Sequence, residues 1–307
     1  MKKIILAVGA MLAMSFACFA TNPASDFKYE LVDQKEVKAL AEKFPELNPK
    51  EDYIQITYYK GEVRGEKIEI PEEIEGCKVI KIRGLKGNTS DRIYVKKMII
   101  PASVVYLDFN CGYSFQIEFL RDKDKPFIWK GDVDLRDQQT LPVDRKIIFL
   151  YPGQNLYSKI YISVPEKTFT WPKNWSFLGL YENNYLGGDN QFHWVKPGFK
   201  FPDSSRIRYA DVSVKEQGIE LSFEEGFEEL PISVSLNSHV AKLILPKSLK
   251  RISGTGFIEI GDSTDYKGTI VFPEGAKITI EPKSIDCDYL SISTKKALKA
   301  MGYNTDD

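Results

Sequence analysis

The sequence predicts a mainly β fold, a solenoid of short stacked strands with a short capping helix at each end. Three observations predict it. First, one strand-like unit occurs twice: Val95–Leu107, VKKMIIPASVVYL, returns 145 residues later as Val240–Ile252, VAKLILPKSLKRI. Val95, Met98, Ile100, Pro101, Ser103, Val104 and Leu107 match Val240, Leu243, Leu245, Pro246, Ser248, Leu249 and Ile252, and self-similarity at a distance marks a repeat architecture. Second, similar runs recur at short intervals. Ile70-Pro71 precedes Ile100-Pro101 by 30 residues, and Leu243, Leu245 and Pro246 return 27 residues on as Ile270, Phe272 and Pro273. Third, a proline closes each run. Proline cannot donate to a β-ladder and belongs at a strand end, where it turns the chain out of the strand. Alternate residues such as Leu243 and Leu245 point to one side. Each unit is too small to bury its own apolar face, so stacking supplies the core. The competing arrangement, an antiparallel β-sandwich, does not require a proline in phase.

The elements follow in order. Met1-Lys2-Lys3, the apolar Ile4–Phe16 and small residues at Cys18 and Ala20 describe a secretory signal peptide over 1–20. The apolar run is shorter than the roughly 18–20 residues of a membrane anchor, so the expected mature chain has no transmembrane segment and is exported to the periplasm, cell surface or medium. Lipoprotein processing at Cys18 is the alternative, although Ser15-Phe16-Ala17-Cys18 is a poor lipobox. Residues 21–52 read as an N-terminal cap: a strand at Phe27–Leu31, then Asp33 capping a helix over about 34–44, with Val37, Leu40, Ala41 and Phe44 at helical spacing. Its apolar stripe is expected to cover the open end of the stack, because end repeats otherwise expose their core face. The solenoid itself spans 53–292. It is sharp at 53–107 and from 240 onward, and irregular over about 108–239. A C-terminal cap and tail fill 293–307, with Thr294 capping a short helix that Gly302 ends.

At this point the residues resemble a family. Ile99-Ile100-Pro101-Ala102-Ser103-Val104 and Leu245-Pro246-Lys247-Ser248-Leu249 resemble the BspA-like leucine-rich repeats of bacterial cell-surface proteins, also called the Treponema pallidum type. Phe27–Leu31, Ile56–Gly61 and Ile70–Gly76 are similar to the entry segment of such arrays, and Thr294–Tyr303 is similar to their C-termini. The usual Gly-x-x-Ala-Phe after each unit is mostly missing; Gly254-Thr255-Gly256-Phe257 is a remnant. The resemblance implies a surface-exposed or secreted bacterial protein that binds proteins or host components, and it supplies no catalytic residues.

Charge and motifs narrow the function. Lys and Arg number 42 against 43 Asp and Glu, for a formal charge of −1, so no basic field gathers nucleic acid. The four basic residues Lys242, Lys247, Lys250 and Arg251 read as a solubilising face. Cys77, Cys111 and Cys287 remain after cleavage. A Cys77–Cys111 disulfide between adjoining repeats and buried free thiols are both open readings. The two histidines are His193 and His239, and His239 reads as a turn residue. Serine-nucleophile, zinc-helix and phosphate-loop motifs are absent, so no catalytic residue, metal or cofactor is expected. Glu224-Glu225 and Glu228-Glu229 read as a solvated acidic turn.

The most unusual stretch is Phe169–Phe201, where Trp171, Trp175, Tyr181, Tyr185 and Trp194 stand among asparagines and other aromatic residues. Aromatic rings with polar handles suit sugar stacking or a protein hot spot. For Trp175, Tyr185 and Trp194 a core role is equally open, and Phe169, Phe177 and Phe192 read as core. Asn183–Asn190 is the best loop candidate. The expected function is a non-enzymatic binding or adhesion module for a protein or glycan. The alternatives are an envelope scaffold without a discrete ligand and a carbohydrate-active enzyme.

Overall fold

The repeated unit folds as its spacing predicts. Val95, Met98, Ile100, Val104 and Leu107 are all buried, as are Val240, Leu243, Leu245, Leu249 and Ile252. Pro101 and Pro246 are buried just beyond strands Tyr94–Ile100 and Val240–Ile244. The matched serines act alike: Ser103 Oγ donates to the Val79 carbonyl at 2.7 Å, and Ser248 Oγ donates to the Phe227 carbonyl at 2.9 Å. Each bolts its turn to the preceding unit. The computed structural model describes residues 22–61, 64–85, 94–108, 116–130, 133–136, 138–151, 158–182, 192–194, 210–234, 239–253, 257–261 and 266–305.

Stacking proceeds through parallel ladders. The first joins strands Ile54–Tyr59, Cys77–Ile82, Tyr106–Asp108, Phe127–Lys130, Ile147–Tyr151 and Trp175–Glu182, with antiparallel strands Phe27–Leu31 and Phe192–Trp194 at its two edges. A second joins Arg64–Glu69, Tyr94–Ile100 and Gln116–Phe119, and a third joins Val133–Leu135, Ser158–Ile162 and Ala210–Val214. A fourth joins Thr168–Trp171, Ile219–Phe223, Val240–Ile244 and Thr269–Val271; Arg251–Ile252 and Thr279–Ile280 form a fifth. Register aligns like with like. Ile56, Ile82, Leu107, Trp129 and Phe149 form one inward row, and Phe169, Leu221, Leu243 and Ile270 form another. A single core cluster takes in residues from Phe27 to Leu298. The fold is mainly β, its sheets are parallel or mixed, and none closes into a barrel among the described residues.

The N-terminal helix forms over Gln34–Ala41, and Asp33 caps it by accepting the Lys35 N–H at 2.8 Å. Its position corrects the sequence expectation. The helix and the turn after it lie on the outer face of the first ladder, where Val37, Leu40, Phe44 and Leu47 pack on Ile80, Tyr106, Ile128 and Leu150. The reason is that these four strand residues make an outward apolar row that requires cover; the row Glu229, Arg251 and Thr279 in the fifth ladder is charged or polar and exposed. Strand Phe27–Leu31 closes the end instead, by pairing antiparallel with Ile54–Tyr59. Two ion pairs pin the cover, Glu36 to Lys81 and Glu46 to Arg121. Arg121 is 5% exposed and donates to the carbonyls of Ala102 and Pro126, each at 3.0 Å. Burial raises the Glu46 carboxyl's pKa, but its bond to Arg121 and backbone bonding outweigh burial and leave it below the usual range.

At the other end, Ser291 caps helix Ile292–Ala300, not Thr294 as expected. Thr294 lies inside the helix, buried, and its Oγ1 accepts the Ile270 N–H at 3.0 Å, protecting the last strand of the fourth ladder. Gly302, at φ +81°, ends the helix as predicted, with Tyr303 N–H returning to the Leu298 carbonyl. The edge of the second ladder is closed by side chains. Gln138 Oε1 accepts the Ile117 N–H and Gln116 Oε1 accepts the Gln139 N–H, both at 2.9 Å. Cys77 is half-buried with a free thiol, and Cys287 is buried, its Sγ 3.9 Å from the Ile285 carbonyl; Cys111 and the expected signal peptide lie outside the described residues. No helix among the described residues is long and apolar enough to cross a membrane.

Candidate recognition site

The ladders break step at one place. Neighbouring strands of the first ladder pair at intervals such as Ile82 to Leu107, Leu107 to Trp129 and Ile147 to Trp175, steps of 25, 22 and 28 residues. In the third ladder Ile160 pairs with Val212, and in the fourth Phe169 pairs with Leu221, so both jump by 52 residues. The chain between Trp171 and Ala210 therefore makes an excursion of about one extra unit and then rejoins the ladders in register.

That excursion contains the aromatic stretch, and the structure divides it. Trp171 and Trp175 are both 0% exposed, which corrects their assignment to a binding surface. Their indoles meet edge to face, with centroids 5.1 Å apart at 85°. Phe149 packs on Trp175 and Phe169 on both tryptophans. Trp175 Nε1 donates to the Pro142 carbonyl at 3.2 Å, giving the buried indole its polar partner. The physical reason is register: Trp175 pairs with Ile147, itself paired with Phe127, and these are inward positions.

Beyond Gly179 the chain runs past the first ladder. The first five residues of strand Trp175–Glu182 pair with Ile147–Tyr151. The last three run past that neighbour and pair antiparallel with Phe192–Trp194, placing Leu180 opposite Trp194, Tyr181 opposite His193 and Glu182 opposite Phe192. Strand Phe192–Trp194 approaches the N-terminal helix. Tyr181 and Trp194 thus belong to one hairpin, while Tyr185 and the loop Asn183–Asn190 lie outside the described residues. His193 pairs with Tyr181 in this register; in the sequence a lone histidine between aromatic residues carries no signal of its own.

Several other charged groups tie neighbouring units together. Glu216 accepts the Val164 N–H at 2.8 Å and the Ser163 hydroxyl; Glu224 accepts the Lys173 N–H at 3.0 Å. Glu225 accepts the N–H groups of Lys247 and Ser248 at 3.0 and 3.1 Å. A shallow groove of about 450 Å³ is lined by Glu228, Glu229, Lys250, Arg251, Thr279 and Glu281. Its charges are internally matched, Lys250 to Glu228 at 2.5 Å and Arg251 to both Glu229 and Glu281. Burial raises the pKa of Glu216, but hydrogen bonds from Ser163 and Val164 outweigh it. The Lys123 ammonium lowers Asp144, and the Lys247 N–H lowers Glu225. Asp144, Glu216 and Glu225 are each held below the ordinary carboxylate range by a hydrogen-bonding partner within the fold. No acidic, histidine and cysteine cluster of metal-binding form occurs among the described residues. His239 sits in a turn at φ +54°, its carbonyl accepting the N–H groups of Gly218 and Ile219. No protein-family model, curated protein or solved structure matches the chain.

Proposed function

We propose that this is an exported, non-enzymatic binding module. In this reading the parallel ladders are the flank of a leucine-rich-repeat solenoid of the BspA-like kind, and the hairpin at residues 175–194 is its recognition element for a protein or glycan. The observation that carries the reading is the shared 52-residue step. The third and fourth ladders absorb the excursion without losing register, so the part of it beyond Gly179, past the last rung of the first ladder, can vary at little cost to the scaffold. Segments displayed on a rigid framework are where binding residues concentrate. Tyr181, His193 and Trp194 on paired strands, with Tyr185 between them in sequence, supply residue types suited to stacking on a sugar or filling a protein pocket.

The test is a Tyr181→Ala, Trp194→Ala double variant of the mature chain, screened with the wild type against a glycan array and a panel of purified extracellular proteins. The expected result is a wild-type ligand whose affinity falls by at least about tenfold in the variant, the scale of a lost aromatic hot spot, with the melting temperature unchanged. Equal affinity of the two proteins would remove the hairpin from the account.

A further inference from the structure

Two adjacent units carry opposite charge. From Glu216 to His239 the charged residues are Glu216, Glu220, Glu224, Glu225, Glu228 and Glu229, with no lysine or arginine. From Val240 to Ser253 they are Lys242, Lys247, Lys250 and Arg251, with no acid. Four of the glutamates reach forward across the boundary. Glu220 meets Lys242 at 2.7 Å, Glu228 meets Lys250 at 2.5 Å and Glu229 meets Arg251 at 3.5 Å. Glu225 takes the Lys247 and Ser248 N–H groups described above, and Gly226 N–H donates to Ser248 Oγ at 2.8 Å. Glu216 and Glu224 reach back to the unit before. At the following boundary the ladder from Val240–Ile244 to Thr269–Val271 carries neutral residues beside Lys242, and Arg251–Glu281 is the ion pair crossing there among the described residues.

We propose that the boundary between these two units is an acid- and salt-sensitive joint, at which the block from Val240 onward loosens from the rest before the fold as a whole unfolds. In a stack each unit contacts only its neighbours, so a weakened boundary releases everything beyond it as one piece. The apolar rows keep the joint closed at neutral pH, with Leu221 and Phe223 on one side and Leu243 and Leu245 on the other. Protonating Glu225 turns two charge-assisted bonds into weaker neutral ones. The sign follows from its lowered carboxyl: the stabilisation is complete above the ordinary carboxylate pKa of about 4 and is lost as pH falls below it. Glu220, Glu228 and Glu229 face Lys242, Lys250 and Arg251, and Arg251 also faces Glu281. Once the acids are neutral, four cations remain crowded on one unit. His239 lies in the connecting turn, its carbonyl bonded to the Gly218 and Ile219 N–H groups. These pairs are exposed, so concentrated salt screens them as well. The inference rests on ladder register and is independent of what the hairpin binds.

The experiment is amide hydrogen exchange on the mature protein at pH 7, at pH 3.5, and at pH 7 in 1 M sodium chloride, expressed as protection factors. Amides of Lys247, Ser248 and strand Val240–Ile244 should lose protection at least about tenfold more than those of Cys77–Ile82 and Phe127–Lys130, the signature of a sub-global opening. A Glu225→Gln, Glu228→Gln, Glu229→Gln variant should reproduce the acid pattern at pH 7. Loss spread evenly over all ladders in acid would overturn the proposal, as would a triple variant matching the wild type at pH 7. If that variant does not fold, the wild-type pH and salt series decides.

Discussion

Trp175→Ala is expected to destabilise the protein by about 3–5 kcal/mol, the range for truncating a large buried aromatic side chain. Three contributions act together. The indole is fully buried among Phe149, Phe169 and Trp171, so its removal leaves a cavity that rigid ladders cannot collapse around. It also breaks the bond from Trp175 Nε1 to the Pro142 carbonyl, which keeps only the Arg145 N–H. Finally, Trp175 starts the strand that leads to the hairpin, so recognition should fail in proportion to unfolding. Thermal melting should fall by on the order of 10 °C, and binding measured well below that transition should be retained. An unchanged melt with lost binding would instead make Trp175 a contact residue.

Leu245→Asp is expected to unfold the C-terminal part of the chain at neutral pH. Leu245 is buried, matched to Ile100 in the other copy, and its N–H donates to the Val271 carbonyl at 3.1 Å. A carboxylate there would sit among Leu243, Leu249 and Ile252 with no counter-charge in the core, a placement that costs several kcal/mol even after the group takes up a proton. Limited proteolysis should then cut within 240–305 while the first ladder stays protected. A folded variant with an unshifted melting temperature would count against stacking as the source of the core.

The repeat core could be read from the sequence because its signal is positional. Seven matched residues fixed in phase by a proline leave little freedom, and the mainly β class follows from them. The same logic reaches further than the sequence reading took it. Trp171-Pro172 repeats the arrangement of Ile100-Pro101 and Leu245-Pro246, which places Trp171 in the core although its composition suggests a binding surface. The resting place of the N-terminal helix was harder to see. An amphipathic stripe shows that a face is covered, not which surface covers it, and Ile80, Tyr106, Ile128 and Leu150 come from four separate strands. A hint lies in Ile147-Ile148-Phe149-Leu150, whose unbroken apolar run belongs to a strand covered on both faces.

Hydroxyl and carboxylate roles were the least legible. Ser291 and Thr294 can each cap a helix, and only the fold brings Thr294 under the Ile270 amide. The acidic turn reads as solvated, and it is exposed, but the reach of a glutamate across a boundary depends on which turn lies next to it. The hairpin was visible as composition alone. That the ladders skip the stretch containing it shows only in the 52-residue step, which no single stretch of sequence contains.

That step is the centre of the account, and a cross-link tests it directly. Thr170 and Ser222 lie opposite each other in the fourth ladder, Oγ to Oγ at 2.8 Å. In the mature chain, which lacks Cys18, with Cys77, Cys111 and Cys287 replaced by serine, a Thr170→Cys, Ser222→Cys variant should oxidise within one chain to a disulfide spanning the excursion. It should show no free thiol and keep the parent melting temperature or exceed it. Two thiols that stay free under oxidation in a folded protein would contradict the register, and with it the assignment of the hairpin as an insertion on a continuous scaffold.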